Sequence, residues 1–149
     1  MLALSFAPWV AYWITAAQGQ NAGVLIGLGL SCALLAEQVL SRSLRVLDIA
    51  SLVYFVVAAL ATYAATSAIF VSQAGPISFA FLLAVAIVSL ATKRPFSIDP
   101  ARNDYPQQYW SNPNFIGAHN IVTTVWGGFF LICGIILAFS ATPVISPIV

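Results

Sequence analysis

The sequence predicts an all-α fold: a polytopic membrane protein, a bundle of about five transmembrane helices forming a single domain over residues 1–149. Two observations predict it. The five basic and four acidic residues all fall in two short windows, Glu37 to Asp48 and Lys93 to Asp104. Residues 1–36, 49–92 and 105–149 carry no charge. Charged residues make up 6% and hydrophobic residues 61% of the chain, and mean hydropathy is +0.97. A soluble domain would place about a quarter of its residues as charges on its surface, so lipid solvates the uncharged blocks and water meets the two charged windows.

A helix needs about 20 apolar residues to cross roughly 30 Å of hydrocarbon. The first block holds two such segments, 2–17 and 22–40, separated by the polar turn at Gln18 to Asn21. The second block divides at Ser72-Gln73-Ala74-Gly75-Pro76, where a proline suits a helix start, and gives spans at 48–71 and 76–92. Residues 93–115 are polar, aromatic and proline-broken and read as an interfacial loop; a fifth span follows at 116–141, before Pro143 and Pro147. The blocks lack period-2 alternation, which sets β-barrel strands aside. A cleaved signal peptide over residues 1–18 fits poorly, because that stretch has no Lys or Arg.

Orientation follows from the basic residues. Arg42 and Arg45 lie in one loop and Lys93, Arg94 and Arg102 in another, while the two opposite turns carry neither Lys nor Arg. This asymmetry predicts a multi-pass membrane protein with both charged loops and the N-terminus cytoplasmic, and the C-terminus outside.

Composition narrows the chemistry. Cys32 and Cys133 fall inside predicted spans and read as small packing residues rather than a disulfide framework. There is no CxxC, no HExxH, no Gly-rich phosphate loop and no Gly-x-Ser-x-Gly, and one histidine rules out bis-His haem within the chain. No catalytic residue, cofactor or metal site is assigned. A net charge of +1 implies no nucleic-acid surface; the expected partners are membrane lipids and other membrane proteins or further copies of the chain.

The polar residues that remain form the candidate site. Glu37, beside Gln38, lies about one turn before the first charged loop, where it either pairs with Arg42 or Arg45 or acts as a functional intramembrane acid. Asp48 opens the third span and reads as a helix cap. His119 and Asn120 open the fifth; helical spacing puts His119, Thr123, Trp126, Phe130 and Cys133 on one stripe and Asn120, Thr124, Gly127 and Leu131 on the next. These polar groups either coordinate a ligand or hydrogen-bond between helices. The topology gathers Glu37, Arg42, Arg45, Asp48, Lys93, Arg94, Arg102, His119 and Asn120 at one membrane face. The basic side chains there either hold a lipid phosphate or a partner's acidic segment, or only fix orientation. Small residues at Gly23, Gly27 and Ser31, and at Ala58, Thr62 and Thr66, favour close helix packing. Trp9, Tyr12 and Trp13 share a helical face and mark an interface anchor or a packing seam.

Lys93-Arg94-Pro95, Pro106 to Trp110, Asn120, Trp126, Phe129-Phe130 and Cys133-Gly134 follow one another in an order that resembles the intracellular septation protein A family of bacterial inner-membrane proteins. Phe6-Ala7-Pro8 and the stretch from Leu47-Asp48 to Phe55 are also similar. The Ser97 to Asp104 loop departs from that family and is closer to a looser set of bacterial membrane proteins with an Arg-Pro-Phe-Thr-like loop. The resemblance implies a role in cell-envelope synthesis and division through contacts with other membrane proteins, and supplies no catalytic residue. The expected function is a non-enzymatic scaffold or accessory subunit of an envelope assembly. The alternatives are a small oligomeric transporter or channel, and a lipid-acting membrane enzyme.

Overall fold

The uncharged blocks fold as helices because lipid offers no partner for backbone amides and carbonyls. The computed structural model describes residues 2–18 and 21–140. Its helices are α1 (Leu2–Ser5), α2 (Ala7–Ala17), α3 (Ala22–Ser41), α4 (Val46–Ala59), α5 (Ala68–Ser72), α6 (Ala74–Ala91), α7 (Ile98–Arg102) and α8 (Pro113–Ser140). A π-helical turn at Leu60–Ala64 extends α4. Four helical stretches are long and apolar enough to cross a membrane: Ala22–Ser41, Val46–Ala64, Ala74–Ala91 and Pro113–Ser140. The chain is an all-α, multi-pass membrane protein.

Several boundaries differ from those expected. The first span, 2–17, is interrupted at Phe6. Pro8 offers no amide to the carbonyl of Leu4, and its ring crowds that carbonyl, so the helix restarts at Ala7. At about 1.5 Å per residue the pair α1–α2 is roughly 24 Å long, shorter than a full crossing. The third span ends at Ala64 instead of Val71. There Ala65 N–H bonds Leu60 O at 2.9 Å, Thr66 takes a left-handed φ of 47°, and the Ser67 hydroxyl accepts the Phe70 amide to start α5. The last span starts at Pro113 instead of Ile116, because Asn112 Oδ1 accepts the Asn114 amide at 2.9 Å and Pro113 needs no amide partner at the first helical position. The turn residues Gly19 and Gln20, and the tail with Ala141, Pro143 and Pro147, lie outside the described residues.

The short N-terminal segment is the centre of the bundle. Trp9 is fully buried and Tyr12 nearly so. The Trp9 ring packs on Tyr54 at 4.7 Å and Phe55 at 5.1 Å, and its Nε1–H donates to Ser51 Oγ at 2.7 Å on α4. Trp13 stacks on Phe79 at 4.6 Å and donates to Ser78 Oγ at 3.0 Å on α6. Phe6 stacks on Trp126 of α8 at 4.8 Å. The Trp9, Tyr12 and Trp13 face is therefore a packing seam and not an interface anchor.

Lipid provides no hydrophobic drive for helices to associate, so close packing must supply it. On α3, Gly23, Gly27 and Ser31 are buried, and a Cβ on Gly27 would lie 2.3 Å from the Phe55 ring. Gly29, two residues on, faces open space. Ala58 and Thr62 are likewise buried, whereas Thr66 is exposed at the turn. Gly27→Ala should therefore destabilise the protein by about 1–3 kcal/mol, the usual cost of overpacking, and Gly29→Ala should leave stability unchanged or slightly raised. Unfolding of both variants in detergent micelles measures the contrast; equal stabilities would contradict the packing described.

Candidate functional site at the charged end

Both charged windows sit at the same end of the bundle, and they meet. Helix α4 begins at Val46 with its first amides lacking an intrahelical partner. Asp48, expected as the cap, does not cap it: it lies in the third helical position and is buried. The caps come from elsewhere. Gln38 Oε1 accepts the Arg45 amide at 2.9 Å, and Asp99 Oδ2, from the second window, accepts the Val46 amide at 3.0 Å.

Asp48 instead anchors an interior network. Its Oδ2 accepts Ser5 Oγ–H at 3.1 Å and Gln38 Nε2–H, and Arg45 Nη1 lies 3.7 Å away. This joins α1, α3 and α4. Arg45 is 3% exposed, so its guanidinium turns inward to Asp48 rather than out to Glu37. Glu37 is exposed on α3 and, among the described residues, makes no ion pair with Arg42 or Arg45. The expected Glu37 pair is thus corrected to Arg45–Asp48. Arg42 is exposed at the C-terminal cap of α3 with a φ of 54°.

Asp99 anchors a second, outer network. Arg94 Nη2 donates to its Oδ1 at 3.2 Å, and Arg102 Nη1 approaches the same oxygen at 3.7 Å while its guanidinium lies over the Trp110 ring. Lys93 is exposed beside them, with a φ of 57°.

His119 sits well inside α8, not at its start, and joins neither carboxylate network. Its Nδ1 is 3.1 Å from Ser97 Oγ, which also lies 3.1 Å from Thr123 Oγ1 and donates to the His119 carbonyl. The stripe His119, Thr123, Trp126 and Phe130 faces the bundle; Asn120 is half-buried, and Thr124 bonds back to its carbonyl. These bonds tie the second loop to α8, the structural alternative for His119.

The loop over 93–115 is two things. Residues 95–100 are buried, with Phe96 and Ile98 almost fully so. Tyr105 and Tyr109 are exposed. Their end of the loop is held by its own contacts, including Trp110 Nε1–H to Tyr105 O at 3.0 Å.

Sequence reasoning missed Asp99, Ser97 and Ser5 and gave Gln38 no role. Gln38 could have been found, since it extends the buried Gly27 and Ser31 face of α3 by two more turns. Ser5, Ser97 and Asp99 are long-range partners with no local signature.

At the opposite end, a cavity of about 530 Å³ opens between α2, α3, α6 and α8, lined by Tyr12, Trp13, Asn21, Thr62, Phe79 and Leu137. It contains none of the candidate site residues.

The fold and this end-on clasp of charged loops define a multi-pass α-helical membrane protein whose polar residues are concentrated at one face. No protein-family model, curated protein or solved structure matches the chain.

Asp99→Ala removes a helix cap and leaves two guanidiniums without their shared carboxylate. It should cost about 1–3 kcal/mol, whereas Arg94→Gln, at a side chain that is itself half-exposed, should cost under about 1 kcal/mol. Unfolding titrations of the two variants in mixed micelles give the comparison, and an Asp99→Ala variant as stable as the parent would remove the clasp.

Proposed function

We propose that this chain is a non-enzymatic integral protein of a bacterial inner membrane. It serves as a scaffold or accessory subunit of a cell-envelope assembly, in keeping with its resemblance to the septation protein A family. The observation that carries this reading is the use made of the converging ionisable groups. Asp99 caps a helix of another loop, and Asp48 joins three helices. Groups engaged in this way make a stiff end to the bundle; a transporter or lipid-acting enzyme would employ them on a substrate.

A stiff bundle presents its outer faces for assembly. The outward face of α8 carries Ile121, Val125, Phe129, Ile132, Ile136 and Phe139, all well exposed, and Gly128 on that helix has nothing within 4 Å of a built Cβ. Membrane proteins associate through such close backbone approach. The partners are other membrane proteins or further copies of this chain. The cavity at the far end supports a second reading, in which a small apolar molecule is held or passed there.

Gly128→Leu adds bulk where the fold has room, so it should leave the melting temperature unchanged while abolishing association. Native mass measurement in lipid discs reads this directly: the parent should appear as a defined complex heavier than its 15.8 kDa chain, and the variant as the chain alone. A parent that is already a lone chain, in discs and after cross-linking in native membranes, would defeat the scaffold reading.

In this proposal the N-terminus and both charged loops face the cytoplasm. Single cysteines at Gln20, Gln73 and Val149, in a chain lacking Cys32 and Cys133, should react with an impermeant maleimide added outside. Protection of any one of them until the membrane is opened would reverse or break the topology.

A further inference from the structure

We infer that the groove between α4 and α6 is a binding site for one anionic phospholipid of the leaflet at the charged end, its phosphate held by Arg94. The groove has a volume of about 350 Å³ and is lined by Val46, Ala50, Ala84, Val85 and Val88, with Arg94 at its end. Ala50 and Ala84 are the cause of the space: larger side chains at these positions would fill it.

Its depth matches its proposed occupant. From Phe81, which also lines it, to the end of α6 at Ala91 the helix rises about 15 Å. That is about half of the roughly 30 Å hydrocarbon thickness, the depth of one leaflet. An acyl chain lying in the groove therefore brings its headgroup level with Arg94.

The charge at the mouth selects the headgroup. Arg94 and Arg102 share the single carboxylate of Asp99, which leaves one positive charge in excess, and the exposed Lys93 and Asp104 of the same loop offset each other. The Arg94 side chain is 54% exposed, and one of its five N–H donors goes to Asp99. The others are placed to grip a phosphodiester, which arginine binds by paired, charge-assisted hydrogen bonds. The choline of a zwitterionic lipid would bring its own positive charge to this basic cluster, whereas an anionic headgroup such as glycerol brings none, which distinguishes the two. Arg45, by contrast, turns inward to a carboxylate of its own. The inference does not depend on the scaffold reading, since a monomer would hold the same lipid.

Native mass spectrometry of the full chain, purified in a neutral detergent and mixed with phosphatidylglycerol or phosphatidylcholine, tests it. The parent should retain phosphatidylglycerol at about tenfold lower concentration than phosphatidylcholine. Arg94→Gln should erase that preference, a loss the size of one charge-assisted contact. Ala84→Phe should weaken both lipids. If that variant does not fold, an acyl-chain series on the parent replaces it, with affinity rising until the chain fills one leaflet. Equal retention of the two lipids by the parent, or an Arg94→Gln protein that keeps the preference, would overturn the site. Glycerol phosphate competing as well as the whole lipid would overturn the groove's part in it.

Discussion

The hydrogen bond from the Val46 amide to the Asp99 carboxylate joins the two charged stretches of the chain, and the architecture of that end depends on it. A helix entering lipid begins with amides that no carbonyl of its own can satisfy, and hydrocarbon offers no substitute. Here the acceptor is a residue fifty-three positions away, so the Val46 amide of α4 is met only when the second loop is docked. Docking in turn brings Ser97 onto His119 and Thr123, which fixes the approach to α8. One unmet backbone requirement thus couples the middle of the chain to its last helix.

The same logic explains why the short α1–α2 segment lies at the centre. Ser5 reaches Asp48 at the charged end, while at the other end a Cβ on Gly23 would meet Thr15 Oγ1. Between them the segment offers α4, α6 and α8 a row of aromatic rings, with the Trp9 and Trp13 N–H groups each satisfied by a serine of a different helix. In lipid this exchange matters twice over. Ring pairs contribute about 0.5–1.5 kcal/mol each beyond area burial, and the indole hydrogen bonds give each tryptophan one specified neighbour. Length is unimportant for an element enclosed by its neighbours; the outer helices are the ones that must match the bilayer.

What could be read in advance follows from how local each cause is. Charge clustering is a property of the linear chain, and it located the charged ends of α3 and α6 to within a residue and the end of the bundle at which Arg94, Arg102 and Asp48 lie. The small-residue series at Gly23, Gly27 and Ser31 has helical spacing and was legible as packing. Asn112-Pro113 was a local cap signal passed over because the preceding residues looked like a loop, and Ser67 was another, hidden within an apolar run. Asp48 was misassigned for a different reason. A carboxylate near a helix start has a local role open to it, and only the positions of Ser5 and Gln38 show that a long-range one prevails. Glu37 illustrates the converse, since an acid beside two arginines need not pair with either when one of them, Arg45, is drawn inside.

The two carboxylates also show how charge is made tolerable at a membrane boundary. Asp48 and Arg45 are both nearly inaccessible, and each needs the other because an isolated buried charge is costly. Asp99 is equally buried but carries two guanidiniums that are not. The inner pair is balanced and closed, while the outer cluster is unbalanced and open toward the headgroups. An interior charge network can be neutral in itself, because nothing in lipid completes it. A cluster at the rim can leave a positive remainder, since phosphate lies within reach. That difference, more than the number of basic residues, separates the part of this end that holds the fold together from the part that faces a ligand.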